Sequence, residues 1–210
     1  MPVRHLYLAR HGEPGDDGRL TERGLQQAGL LGRRLAGVPL RSVRHGPLPR
    51  AEQTARRVVQ ELAPDVPVGV LAAAGDYVPH VPTPDDLDGL DGLAPEHRAA
   101  LQDSLADVSP TEATEGAALA AEALRLLAGP EDGPDDGHHL VVTHAFTIGW
   151  LVAHACAAPA WRWWRLNHGH AALTVLRYAP DRPPSLVVFN DMTHLPDALR
   201  WTGFPERLRL

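Results

Sequence analysis

The stretch Val3-Arg4-His5-Leu6-Tyr7-Leu8-Ala9-Arg10-His11-Gly12 decides the fold. Residues 3–9 alternate and then run apolar, as a strand buried in a sheet does. A glycine- and aspartate-rich loop over 12–18 follows directly. Thr21 then suits the N-cap of a helix that carries Leu25, Ala28, Leu31 and Leu35 on one face, with Gly37 and Pro39 past its end.

The same alternation continues along the chain. Residues 41–44 predict a weak strand, 49–62 a helix with Ala51, Ala55, Val58 and Leu62 inward, and 68–71 a third strand. Between 75 and 109 prolines and aspartates dominate, and no period survives. A stretch of that length and composition reads as a lid or binding loop. A helix over 111–128, a strand over 140–143, a helix over 145–156 and strands over 172–178 and 186–189 complete the pattern. The expectation is an α/β fold over 1–210: one domain, a mostly parallel sheet flanked by helices, and an irregular insertion after the third strand.

Composition narrows the function. The formal net charge is -6, which argues against nucleic acid and anionic membrane surfaces as partners. No run approaches the roughly 20 apolar residues of a membrane span, and the N-terminal stretch lacks the pattern of a secretory signal. Cys156 is the one cysteine, which excludes an internal disulfide and suits a cytoplasmic protein. Every basic side chain is arginine. Lysine Schiff-base chemistry and a Walker-type phosphate loop are therefore excluded.

Three places share one arrangement, in which a strand ends, a cationic or imidazole side chain follows, and a helix begins nearby. They are Arg10-His11-Gly12, Arg50 in the first turn of the second helix, and His144 between strand and helix. Ligands of open α/β sheets bind beyond the carboxyl ends of the strands, and helix N-termini there favour anions. Arginine forks bind phosphate oxygens bidentately. Together these residues describe a phosphate pocket.

Five ordered segments then carry a resemblance: LARHGE (8–13), LTERGLQQA (20–28), PLPRAEQTA (47–55), VVTHAF (141–146) and NDMTHL (190–195). In this order they resemble the histidine phosphatase superfamily, the phosphoglycerate-mutase-like proteins. The resemblance implies a metal-independent phosphatase that works without a cofactor. It would hydrolyse a small phosphomonoester through a phosphohistidine on His11. Arg10, Arg50 and His144 would hold the transferring phosphoryl group, and Gly12, His45 and Ala145 would contact substrate. Phosphoglycerate-mutase-type transfer and non-catalytic phosphate binding are the alternatives on the same fold.

Two features depart from the family pattern. The family's proton donor is usually a glutamate after the third strand, yet VLAAAGDYVPHVP (70–82) has none. Asp76 is the nearest acid, with Asp85, Asp86 and Asp88 as alternatives. In addition, Arg44-His45-Gly46 repeats the tripeptide, but it directly precedes PLPRAEQTA, so His45 falls at a pocket-lining position and not at the nucleophile's.

The remaining candidates receive structural readings. His138 and His139 belong at a strand entrance, His154 in the core, and His194 in a turn. His168 and His170 form an H-x-H pair that on a strand would share one face; either a weak metal pair or, for His170 and Asn167, the rim of the site is expected. Trp161, Trp163 and Trp164 read as core or interface, Glu13 as ordering the loop after His11, and Thr143 as a hydroxyl that helps hold the pocket.

Overall fold

Residues 4–10 of the opening stretch form strand β1 (Arg4–Arg10), with Leu6, Leu8 and Ala9 fully buried. The computed structural model describes residues 2–83, 86, 94, 96, 99–100, 103 and 105–209. Asp85, Asp88 and Arg98, the last an arginine of the acidic insertion, lie outside the described residues. The other strands are β2 (Ser42–His45), β3 (Val68–Val70), β4 (Gly137–Thr143), β5 (Leu173–Ala179) and β6 (Arg182–Asp191). They form one sheet in the order β3-β2-β4-β1-β5-β6. The first four run parallel, and β5 and β6 are antiparallel additions beside β1.

Helices cover both faces. On one, α1 (Glu22–Leu35) and α2 (Pro49–Val59) bury Leu31, Leu35, Ala51, Ala55 and Val58 against Ala9, Val43, Leu140 and Val142. On the other, α3 (Pro110–Leu127) and α4 (Ala145–Ala155) bury Ala123, Leu127, Ile148, Leu151 and Val152 against Leu6, Leu8, Val141 and Leu176. The near-continuous apolar reading of β1 and β4 follows from burial on both sides.

Local signals explain the helix ends. The Thr21 hydroxyl accepts from the Gly24 amide at 3.0 Å. Ser109 and Glu112 form a reciprocal capping box at the start of α3, followed by Pro110 at the first helical position. The expected core histidine of α4 is a correction. His154 is exposed, because the inward face of that helix is Ile148, Leu151, Val152 and Ala155, a spacing that leaves position 154 outside.

The chain leaves β1 toward β2 and leaves β4 toward β5. β1 and β4 are neighbours with Arg10 paired to Thr143, so the connections diverge at their carboxyl ends. That divergence opens the crevice where open α/β sheets bind ligands.

Candidate active site

Register alone brings His11 and His144 together, since each is the first residue after one of the paired strand ends. Their ring centroids stand 5.0 Å apart. The His11 amide donates to the Thr143 carbonyl at 3.0 Å. The Gly12 amide donates to Thr54 Oγ1 at 2.9 Å, and that hydroxyl donates to the Arg50 carbonyl at 2.7 Å. A side chain at position 12 would collide with the Gly24 carbonyl oxygen, 2.5 Å from its Cβ. The loop after His11 therefore lies directly on the first turn of α1.

The His11 ring is 4% exposed. Its Nδ1 faces the Gly12 carbonyl at 2.8 Å. A carbonyl only accepts, so Nδ1 carries the proton and Nε2 keeps its lone pair. Arg50 Nε donates to that Nε2 at 3.2 Å. Burial first, then the charge of Arg10 and the neighbouring His144, pushes the His11 pKa down to about 2. The ring is thus a neutral imidazole at physiological pH.

Arg50 is the second residue of α2, placed by Pro49 before it. Its Nη2 donates to Asp76 Oδ2 at 2.7 Å. The same oxygen approaches His144 Nδ1 at 3.4 Å without hydrogen-bond alignment. Burial, then Arg50 and Arg10, pushes the His144 pKa down to about 3. Asp76 is held over the pocket by two hydroxyls: Thr143 Oγ1 donates to the Ala74 carbonyl and Thr147 Oγ1 to the Gly75 carbonyl, both at 2.7 Å.

Arg10 donates through Nη1 to the carbonyls of His168 and Gly203, each at 2.7 Å. Its Nε is buried with no partner among the described residues. Desolvation lowers its pKa to about 10, so the guanidinium stays charged. His170 stands on the pocket wall, its ring centroid 5.3 Å from that of His11 and its Nδ1 3.1 Å from Thr202 Oγ1. Burial, then Arg10 and His11, pushes its pKa down to about 2.

Arg10, His11, Arg50, His144 and Asp76 therefore converge. Gly12 is part of the same backbone loop, and Ala145 opens α4 directly after His144. His45 does not join the cluster. Its Nδ1 faces the Gly46 carbonyl at 2.8 Å, but its ring borders a separate cleft with Pro47, Glu52, Arg56 and Val70. Asp86 also lies elsewhere, accepting from His80 Nε2 and from the Thr83 amide and hydroxyl. Among the described residues no three His, Cys, Asp or Glu side chains converge to hold a metal. No described helix is long and apolar enough to cross a membrane.

Sequence reasoning passed over Gln27, Thr54, Thr202 and Gly203. Gln27 is fully buried. Its Oε1 accepts from the Glu13 amide at 2.8 Å, and its Nε2 donates to the Leu199 carbonyl and to Thr202 Oγ1 at 2.9 and 2.8 Å. It ties the loop after His11 to the C-terminal segment. Gly203, at φ 66°, sits where a Cβ would come within 2.4 Å of the His170 ring and 2.8 Å of Arg10 Nη1.

An α/β sheet with a cationic, histidine-lined pocket at its switch point is the class these observations define. The chain belongs to the histidine phosphatase superfamily (branch 1), whose model matches residues 6–192. It is 27% identical over 206 residues to the mitochondrial serine/threonine-protein phosphatase Pgam5 of Caenorhabditis briggsae, covering 95% of this chain and 67% of the relative. The chain thus spans about two thirds of the length of the curated relatives it matches. Among solved structures, Bacillus stearothermophilus YhfR aligns with a TM-score of 0.65 at 23% identity, covering 92% of this chain and 100% of that one. A phosphoserine phosphatase from Entamoeba histolytica, solved with 3-phosphoglyceric acid, aligns with a TM-score of 0.62 at 21% identity and the same two coverages. These structural likenesses place the fold.

Proposed function

We propose that this protein is a phosphatase that hydrolyses a phosphomonoester through a phosphohistidine on His11. The observation that carries the reading is the pinned tautomer: Nδ1–H on the Gly12 carbonyl and an unprotonated Nε2 that accepts from Arg50. Nε2 attacks phosphorus, an N–P bond forms, and the P–O bond to the alcohol breaks with its electrons leaving on oxygen. Arg10, Arg50 and His144 hold the equatorial oxygens, and the two arginines offset their charge. Asp76 is the carboxyl placed to pass a proton to the departing oxygen. Water then attacks phosphorus and gives its proton to Asp76. The N–P bond breaks, inorganic phosphate leaves, and His11 returns to its starting state.

No metal ligand takes part in this scheme, so a chelator should leave turnover unchanged. The test is to mix the protein with a 32P-labelled aryl phosphate and quench in alkali. An alkali-stable, acid-labile label on the wild type that is absent from His11→Ala supports the proposal. Wild-type turnover by His11→Ala sinks it.

A further inference from the structure

Asp76 borders two spaces. One is the His11 pocket; the other is a cavity of about 460 Å³ that Asp76 lines together with Tyr77, Asp107, Glu112, Glu115 and Phe146. Phe146 follows His144 by two positions and is 40% exposed. It is braced edge-on against the buried Trp163, 4.8 Å between centroids, whose indole N–H is fixed on the His80 carbonyl at 3.0 Å. His144, at the junction, is 1% exposed, and neither of its ring nitrogens has a hydrogen-bond partner among the described residues. A phosphoryl group on the His11 side would place its ester oxygen at Asp76 and the rest of its alcohol in this cavity.

The cavity wall is negative. The Ser109 amide and hydroxyl both donate to Glu112 and hold its pKa below the usual carboxylate value. Asp107 and Glu115 make no ion pair among the described residues. An aromatic face beside several carboxylates suits an organic cation, drawn by the ring quadrupole and by charge. It disfavours an alcohol that carries its own carboxylate or second phosphate. We infer that the substrate is a phosphomonoester whose alcohol part bears an ammonium group, seated in the cavity walled by Phe146, Asp107 and Glu115. This rests on the phosphatase reading of the His11 pocket.

The experiment compares kcat/KM of the full chain on phosphocholine, on its uncharged isostere 3,3-dimethylbutyl phosphate, and on 3-phosphoglycerate, with 4-nitrophenyl phosphate as a reference. The cation should outrun its isostere by about tenfold or more, and the anionic ester should be slowest. In the paired variant Asp107→Asn, Glu115→Gln, on exposed positions, the ratio of phosphocholine to isostere should fall to within about threefold. Equal turnover of cation and isostere overturns the inference, as does a ratio that the variant leaves unchanged. Where 4-nitrophenyl phosphate is still turned over through His11, the phosphatase reading survives that failure. If no ester is turned over, both fall together.

Discussion

Arg50 Nε stands 3.2 Å from His11 Nε2 while Arg50 Nη2 stands 2.7 Å from Asp76. One guanidinium therefore faces both the proposed nucleophile and the proposed proton donor. Its planar fork can serve both only because its nitrogens are fixed relative to each other. Arg50→Lys keeps the charge and loses the fork. Its kcat on an aryl phosphate should drop by about 100-fold or more, and Arg50→Ala by about 1,000-fold. Steady-state kinetics on folded variants, checked by circular dichroism, decide this. A lysine variant near wild-type rate would show that charge alone suffices.

Asp76 gives a different signature. A proton donor matters in proportion to how poor the leaving group is. Asp76→Asn should cost less than about tenfold with 4-nitrophenyl phosphate and about 100-fold or more with an alkyl phosphate. Equal losses on both esters would assign Asp76 to positioning Arg50 instead.

What the sequence made legible was local. The apolar run before Arg10-His11-Gly12, the Thr21 cap, Pro49 ahead of Arg50 and the strand before His144 are short-range signals. Each placed its residue at the right sheet edge. In sequence Asp76 is only the nearest acid, and the backbone just before it is anchored by Thr143 and Thr147 from elsewhere in the chain. The rest depends on partners far apart. Gln27 reads as a polar helix residue between Leu25 and Ala28, yet its amide is consumed by Leu199 and Thr202, both far along the chain. Gly203 belongs to a tail without any period, and only its approach to His170 and Arg10 gives it meaning. His154 was readable in principle, since the spacing of Ile148, Leu151, Val152 and Ala155 excludes it from the buried face.

Gln27 carries a stability prediction. Gln27→Leu keeps the bulk and removes every polar atom of the amide. The Glu13 amide and the Leu199 carbonyl would lose their partners inside the protein. Unsatisfied buried groups cost about 1–3 kcal/mol each. A loss of about 3 kcal/mol in urea unfolding is expected, with KM for substrate rising because the loop after His11 is loosened. Unchanged stability would mean that the C-terminal segment contributes nothing to holding that loop.

Acid sensitivity should be built into the histidine-lined pocket. His11 and His170 are pushed down to about 2, and His144 and His168 to about 3, in each case chiefly by burial. In the unfolded chain these rings titrate near their ordinary value of about 6.5. Below that pH the unfolded chain binds protons that the native protein refuses, so stability falls as pH falls and is fully present only above about 6.5. Each ring contributes about 1.4 kcal/mol per pH unit between its unfolded and folded values. Four rings together would exhaust an ordinary stability of about 5–15 kcal/mol within roughly one to three pH units. The unfolding midpoint in urea should therefore drop steeply between pH 7 and pH 5. A bound oxyanion favours the protonated rings, so orthovanadate should flatten that drop. A midpoint that stays level across this range, with or without vanadate, would show that the buried rings take up protons in the native state after all.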